Sequence, residues 1–500
     1  MARHQLSKST FMRGCQCLKS LYLNKHHRTL GICKDPLSAQ QTAIFAAGTL
    51  TGQLAQQTYP GGVDCTPESF YDFAPSIVKT RDAITACAPA IYEATFMANG
   101  VLALMDILVL RDDGWHAYEV KSTNSTKDQH IEDAALQYWV MRESGLPVVS
   151  IHIMHFDPAY VRDGAIDVQE LFTDDDVTEA ALGKQDAITR QIEVEKAVLT
   201  AHAVPAIAIG PHCHSPYACD FIGHCWSEIP PYSVLNLRGK SETKWALFNE
   251  GYRMTRDIPE GTDLQWKQQL QVNADKTGET TIDKAGIAAF LERLVYPLYY
   301  FDLETIMPGV PIFDHSRPYQ QICVQYSLHI QHEAGGAVEH FEFLGDGTDA
   351  DPRPPLLQQM IADLGTAGSV IVYNESFEDG RLEEMARDFP QHAAAITAIR
   401  ARLIDLADPF RAKHYYAPEM RGSYSIKYVL PALIPELSYN DLAIQEGGTA
   451  SLTYLQMVTG TFDGDIDQTR RDLIAYCTLD TLAMVKIMAK LKAAVTEGQS

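Results

Sequence analysis

Long apolar runs are missing from this 500-residue chain. No stretch approaches the roughly 18 uninterrupted hydrophobic residues that a membrane-spanning helix needs, so membrane insertion is not expected. The amino terminus has no apolar block ahead of a small-residue cleavage site. It does not read as a secretory signal, and the expected location is cytoplasmic. Positive charge is scarce: 41 Lys and Arg stand against 64 Asp and Glu, a net charge of -23. That balance argues against a protein that coats nucleic acid with a basic surface. It leaves room for a nuclease, whose site gathers carboxylates around divalent metal. Cys-x₂-Cys pairs are absent although the chain has ten cysteines, and in a reducing compartment these do not read as a disulfide framework. Repeats and low-complexity tracts are also lacking.

What remains is an ordinary folded composition, 46% hydrophobic and 21% charged with 32 Gly and 25 Pro. It excludes disordered, collagen-like and coiled-coil chains. At about 150 residues per domain, the length predicts roughly two to four domains. Strand-like apolar runs alternate with helical ones in two stretches, so the fold class expected is α/β. The first unit is assigned to residues 1–228, a polar connector to 229–295, and a second unit to 296–500.

The first constellation lies in residues 101–110, a compact apolar run interrupted by Asp106. A lone buried carboxylate costs several kcal/mol unless it is paired or metal-bound. Asp112-Asp113-Gly114 supplies a hairpin turn, and the chain returns through Glu119, Val120 and Lys121. Alternation puts Glu119 and Lys121 on one face of that strand, where Asp106 of its neighbour can join them. Two carboxylates suit Mg²⁺ or Mn²⁺, and the lysine can orient a metal-activated water. Read without function, the same residues are a hairpin with one charged face.

These residues resemble the RecB-like branch of the PD-(D/E)xK nucleases, over roughly residues 10–228. The resemblance implies a restriction-endonuclease-like domain with Asp106, Glu119 and Lys121 as its central motif and Gln137 as the glutamine that follows. Two departures stand out. Residues 48–53 occupy the place of the family's upstream histidine, which is not evident, and Tyr138 follows Gln137 directly instead of one helical turn later. Glu93 is a weak candidate for the missing ligand.

Cys213-x₅-Cys219-x₅-Cys225 places three evenly spaced thiols among Pro, Gly and His, a pattern for a loop folded around a soft metal centre. A fourth ligand comes from Cys17, with Cys15 its rival. Four thiolates suit Zn²⁺ or a 4Fe–4S cluster. One early and three late cysteines flanking a RecB-like core resemble the iron–sulfur nucleases of that branch, such as the CRISPR-adaptation nucleases. That resemblance implies a 4Fe–4S cluster acting as a staple between the two ends of the domain, with Zn²⁺ as the alternative.

The second constellation begins at Asp302 and Glu304, two positions apart on a strand-like run. A second strand-like run at 369–373 leads to Glu378. Tyr476 and Asp480, four apart, share one helix face. Asp405 and Asp408 read as turn and cap residues, and Lys427 with nearby tyrosines as a stretch that could touch a nucleic-acid strand. In order, the set resembles the DEDD exonucleases of the RNase H-like fold, tyrosine subtype, over about 296–492. The resemblance implies that Asp302, Glu304, Glu378 and Asp480 hold Mg²⁺ or Mn²⁺ and that Tyr476 positions the attacking water. Glu378 departs from the family's aspartate at its position. The pairing of an iron–sulfur RecB-like module with a DEDD-like one resembles a bacterial family of unknown function, number 2779.

The function expected is a metal-dependent nuclease acting on DNA, single-stranded or at ends, with RNA open as a substrate. Association with repair or with defence against foreign DNA rests on resemblance alone. The alternative is a nucleic-acid-binding scaffold whose nuclease sites have decayed, which the acidic charge, the absent histidine and Glu378 favour.

Overall fold

The computed structural model describes residues 4–496. The chain divides into two compact units, each of mixed helices and sheet, so the α/β class holds for both. Unit 1 comprises residues 1–228 together with 309–320, and unit 2 comprises 229–308 with 321–500. The stretch 229–295, expected as a connector, therefore belongs to unit 2. Its apolar side chains Val234, Leu237, Leu247, Val272 and Ile287 are buried, a contribution that its irregular pattern conceals. Among the described residues, no helix is long and apolar enough to cross a membrane.

The sheet of unit 1 is built from β1 (Leu6–Ser7), β2 (Val63–Asp64), β3 (Ala90–Ala98), β4 (Val101–Arg111), β5 (Gly114–Val120), β6 (Val148–Phe156) and β7 (Phe172–Asp176). Its order is β2-β3-β4-β5-β6-β7, with β1 alongside β4. Strands β3, β4 and β5 run antiparallel and β5 pairs in parallel with β6. Gly114, at φ 132°, makes the tight β4–β5 turn, a conformation that a Cβ would disfavour. The helix Asp128–Glu143 carries ten buried residues, among them Asp133 and Gln137. It packs with β3, β4 and β6 around a core that includes Phe11, Leu108, Trp139 and Ile151.

Unit 2 has a sheet of β9 (Leu298–Ile306), β10 (Ile322–Gln331), β11 (Val338–Leu344), β12 (Ser369–Val372) and β13 (Leu403–Asp405), in the order β11-β10-β9-β12-β13. The first three strands are antiparallel, whereas β9, β12 and β13 run parallel. A separate ribbon pairs β8 (Thr281–Ile282) with β14 (Tyr415–Tyr416). Parallel alignment brings the carboxyl ends of β9, β12 and β13 to one edge, which is where open α/β sheets place their sites. The long helix Ile466–Thr496 packs on β9 and β10.

Candidate metal centres

In unit 1, β4 and β5 bring Asp106 to the start of the Glu119–Lys121 segment: one Asp106 carboxylate oxygen accepts the Val120 amide at 2.7 Å. Glu119 is 1% exposed. Its Oε1 accepts from Lys121 Nζ at 2.6 Å and from Lys8 Nζ at 2.7 Å, and its Oε2 from Gln137 Nε2 at 2.6 Å. Asp133, one helical turn before Gln137, pairs with Lys121 and lies 3.9 Å from Lys8. Burial alone would raise the Glu119 pKa, but Lys121 and Lys8 outweigh it and hold the carboxyl well below its usual range. Asp106 moves the other way, pushed up by burial and then by the Glu119 charge.

Glu93 joins this group. It lies between the Tyr92↔Ile107 and Ala94↔Met105 pairs, across from Asp106, with φ at 52°. A left-handed glutamate inside a strand is an uncommon, costly conformation. Burial raises its pKa, and the Lys8 charge partly offsets that rise. The Gln137 Oε1 atom is buried and has no hydrogen-bond partner, while its amide nitrogen donates to Glu119 and Asp133. Lys8 and Asp133 are additions that the sequence reading missed. Asp133 was within reach, since it shares a helix face with Gln137, whereas Lys8 lies 111 residues from Glu119 and has no pattern to reveal it.

The unit 2 cluster has a different electrical character. Ligand atoms of Asp302, Glu304 and Cys477 all fall within 4.8 Å of one another, the one such group of three or more His, Cys, Asp or Glu among the described residues. Asp480 and Glu378 are buried beside them, at 7% and 2% exposure. All four carboxyls are pushed up. Burial is the main cause for each, followed for Asp302 by the charges of Asp480, Glu304 and Glu378. Glu304 rises to about 8, through burial and Asp480, against the pull of Lys427. Asp480 rises to about 6 even though Tyr439, Lys427 and Tyr476 favour its charged form. Glu378 is raised by burial, then by Asp405 and Glu304, and its Oε2 has no partner.

Two tyrosines close this cluster. The Tyr439 hydroxyl donates to Asp480, and Tyr476 lies against the same carboxylate on the Ile466–Thr496 helix. Lys427 Nζ stands 5.1 Å from the Tyr439 ring centre and 5.5 Å from that of Tyr476. Tyr439 escaped the sequence reading because it sits in a three-residue turn without periodicity. Asp405 accepts from the Asn374 and Ala407 amides at 2.9 Å each and from Arg411 at 2.6 Å. It ends β13 and is not a turn residue as expected, and it places its charge beside Glu378.

Cys17, Cys213, Cys219 and Cys225 line one small cavity of about 20 Å³, with His212 and Phe221. Cys15 lies elsewhere, 3.9 Å from Glu195. The segments bearing the four thiols are tied directly. Arg13 pairs with Asp220, Gln16 Nε2 donates to the His212 and Tyr217 carbonyls at 2.7 Å each, and the Gly223 amide reaches Asp35 at 2.9 Å. The thiols do not fall within 4.8 Å of one another as a group. In a tetrahedral zinc site, Zn–S bonds near 2.3 Å put sulfurs about 3.8 Å apart.

The structure thus defines an α/β protein with two buried carboxylate clusters and a four-thiol pocket. Residues 299–425 match a family described as a domain of unknown function (DUF2779). The matched stretch holds Asp302, Glu304 and Glu378 but ends before Tyr476 and Asp480. An uncharacterized MG366 homolog of Mycoplasma pneumoniae is 30% identical over 312 residues, 53% of this chain and 45% of the relative. The uncharacterized protein UU173 of Ureaplasma parvum is 28% identical over 294 residues, 54% of this chain and 41% of the relative. The matches therefore span less than half the length of these curated relatives.

Proposed function

We propose that this chain is a divalent-metal-dependent nuclease that hydrolyses phosphodiester bonds of DNA. Unit 1 is read as a restriction-endonuclease-like module and unit 2 as an RNase H-like module of the DEDD kind. The carrying observation is the unit 2 cluster: four carboxyls with raised pKa values, Glu378 and Asp480 buried and Asp302 and Glu304 half-buried, opposed by Lys427 and Arg381, with an unpartnered Glu378 oxygen. Buried like charges at this density call for cations. Asp302, Glu304, Glu378 and Asp480 offer the hard oxygens that Mg²⁺ or Mn²⁺ prefers. When bound, such ions lower the pKa of water and neutralise charge at the phosphate. Tyr476 and Tyr439 hold Asp480 in place, and the Tyr476 hydroxyl can orient a water. In unit 1 the corresponding parts are Asp106, Glu119 and Glu93 as ligands, with Lys121 positioned by Glu119 and Asp133.

The four thiols have the donor chemistry of a 4Fe–4S cluster or of zinc. Their spacing favours the cluster, whereas the small cavity is what zinc alone would fill. Either would staple the early and late segments of unit 1. Metal analysis of anaerobically purified protein decides: iron with sulfide and a brown colour supports the cluster, and zinc alone refutes it.

The test of the main reading is cleavage of labelled single- and double-stranded DNA, and of RNA, with Mg²⁺ or Mn²⁺ by the unmodified chain and by Lys121→Ala and Asp302→Ala. Metal-dependent cleavage lost in one or both variants assigns the activity. One observation favours a non-hydrolytic scaffold: in unit 1, Lys8 and Lys121 already neutralise Glu119. Absence of cleavage by the unmodified chain with either metal would establish that second reading.

A further inference from the structure

Unit 2 contains a cavity of about 420 Å³ whose sign is opposite to that of the chain. Lys267, Arg293, Arg411 and His414 line it, with Asp408 as its lining carboxylate and Phe290 on its wall. Among the lining side chains three permanent cations face one carboxylate, with Asp405, Asp283 and Glu375 standing just outside, in a protein of net charge -23. The partners are accounted for as follows. Arg411 reaches Asp408 at 2.8 Å and Asp405 at 2.6 Å, Arg293 reaches Asp408 at 3.1 Å, and His414 meets Asp283 at 2.8 Å. Lys267 Nζ donates to the Arg411 carbonyl at 2.9 Å, an acceptor that leaves its charge uncompensated.

Geometry around the cavity reinforces that sign. Arg238 and Arg411 lie 5.2 and 5.4 Å from the centre of the Tyr424 ring. Lys413, buried and donating to the Gly422 carbonyl at 3.1 Å, has its pKa held down to about 8 by burial and then by Arg238 and Lys267. Beside Lys267, Trp266 is 62% exposed, and the Lys267 ammonium stands 5.4 Å from its ring. An exposed aromatic next to convergent cations is the combination that binds a single strand, stacking on bases and pairing with phosphates.

The cavity also adjoins the unit 2 cluster. Arg411 grips Asp405, which caps β13, receives the Asn374 amide at the head of the helix bearing Glu378, and adds to the charge pressing on Glu378.

We propose that this cavity binds the phosphodiester backbone of a single nucleic-acid strand, with Lys267 and Arg293 on phosphates and Trp266 stacking on an unpaired base. The inference rests on the nuclease reading only for what the strand does next; strand binding itself is independent of hydrolysis. The test uses the full chain in EDTA with fluorescein-labelled oligo(dT), oligo(U) and a duplex, followed by anisotropy over a salt series. Lys267→Ala/Arg293→Ala is expected to weaken binding of the single strands at least tenfold. It should flatten the log K against log[salt] slope by about 1.4, as for two lost single-strand phosphate contacts. Trp266→Ala is expected to weaken binding about fivefold or more without changing that slope, and Lys267→Arg should retain affinity. Unchanged affinity in the double variant, no binding of either single strand by the unmodified chain, or a preference for duplex overturns the proposal. Hydrolysis of the small ester thymidine 5′-(p-nitrophenyl phosphate) separates the two readings. Strand binding that depends on Lys267 and Arg293, without any hydrolysis, defeats the nuclease and leaves this site standing. Hydrolysis of strands unaffected by the double variant does the reverse.

Discussion

Glu119 and Glu304 are strand-borne glutamates, each two residues from a second charged side chain and set among other carboxyls, the first buried and the second half-buried, and their pKa values shift in opposite directions. Lys121 and Lys8 hold Glu119 down, whereas burial and Asp480 push Glu304 up to about 8. The unit 1 cluster carries its own counter-charge, folded in from a lysine on the first helix and another on the strand end. The unit 2 cluster has only Lys427 and Arg381 acting against its carboxyls, and all four stay raised. One protein thus shows both answers to the same electrostatic problem, and the two predict different responses to substitution, metal and pH.

The largest expected effect is on hydrolysis. If unit 2 supplies the nuclease chemistry, Asp480→Asn removes the charge of a ligand while keeping an oxygen that can accept from Tyr439. It should lower the metal-dependent rate by on the order of 10³-fold in single-turnover cleavage assays, a size typical for positioned proton-transfer and ligand groups. Lys121→Ala should leave that particular activity in place, and an equal loss in both variants would break the comparison.

Stability comes next, and here the two clusters should move oppositely. Lys121→Ala strips a carboxylate pair of one of its two cations, leaving Lys8, and should cost about 1.5–3 kcal/mol in denaturant unfolding. Glu378→Gln removes one of several repelling charges and should stabilise the metal-free protein by about 1 kcal/mol.

Metal should raise the unfolding temperature chiefly through unit 2. At 100 times its dissociation constant, Mn²⁺ is expected to add about 2.7 kcal/mol. Glu304→Gln should remove most of that gain, and Glu119→Gln little of it if the lysines keep unit 1 closed to metal.

A further effect is in the pH profile of the metal-free chain. Because Glu304 and Asp480 bind protons more tightly when folded, at about 8 and about 6, their charged forms oppose folding. Stability should therefore fall as pH rises from 5 to 8 and recover as pH drops toward the ordinary carboxyl range. Mn²⁺ should flatten the slope. A thermal-shift series with and without the ion measures both, and a stability that climbs with pH in the metal-free chain would contradict the raised values.

Much of this was legible in the sequence wherever local rules apply. The acid within an apolar run at Asp106, the alternation of Glu119 with Lys121, the hairpin at Gly114 and the four-residue spacing of Tyr476 and Asp480 all follow from strand and helix periods. Lys8 was hidden because its reach to Glu119 depends on β1 lying beside β4, a pairing of two residues that no period announces. Tyr439 and Cys477 enter the unit 2 cluster through packing of a turn and a helix that share no sequence pattern with β9. The stretch 229–295 was read as polar because its buried residues are spaced irregularly, yet its helices Trp266–Thr277 and Lys284–Leu291 line the basic cavity.

The ties around the cysteine pocket bear on how the protein is assembled. Arg13 with Asp220, Gln16 with two carbonyls, and Asp35 with Gly223 tie the early and late segments together, and buried Phe221 packs against His27 and under Lys34. Folding consequently sets the four cysteines around one small cavity, with their sulfurs farther apart as a group than metal-bound thiolates stand.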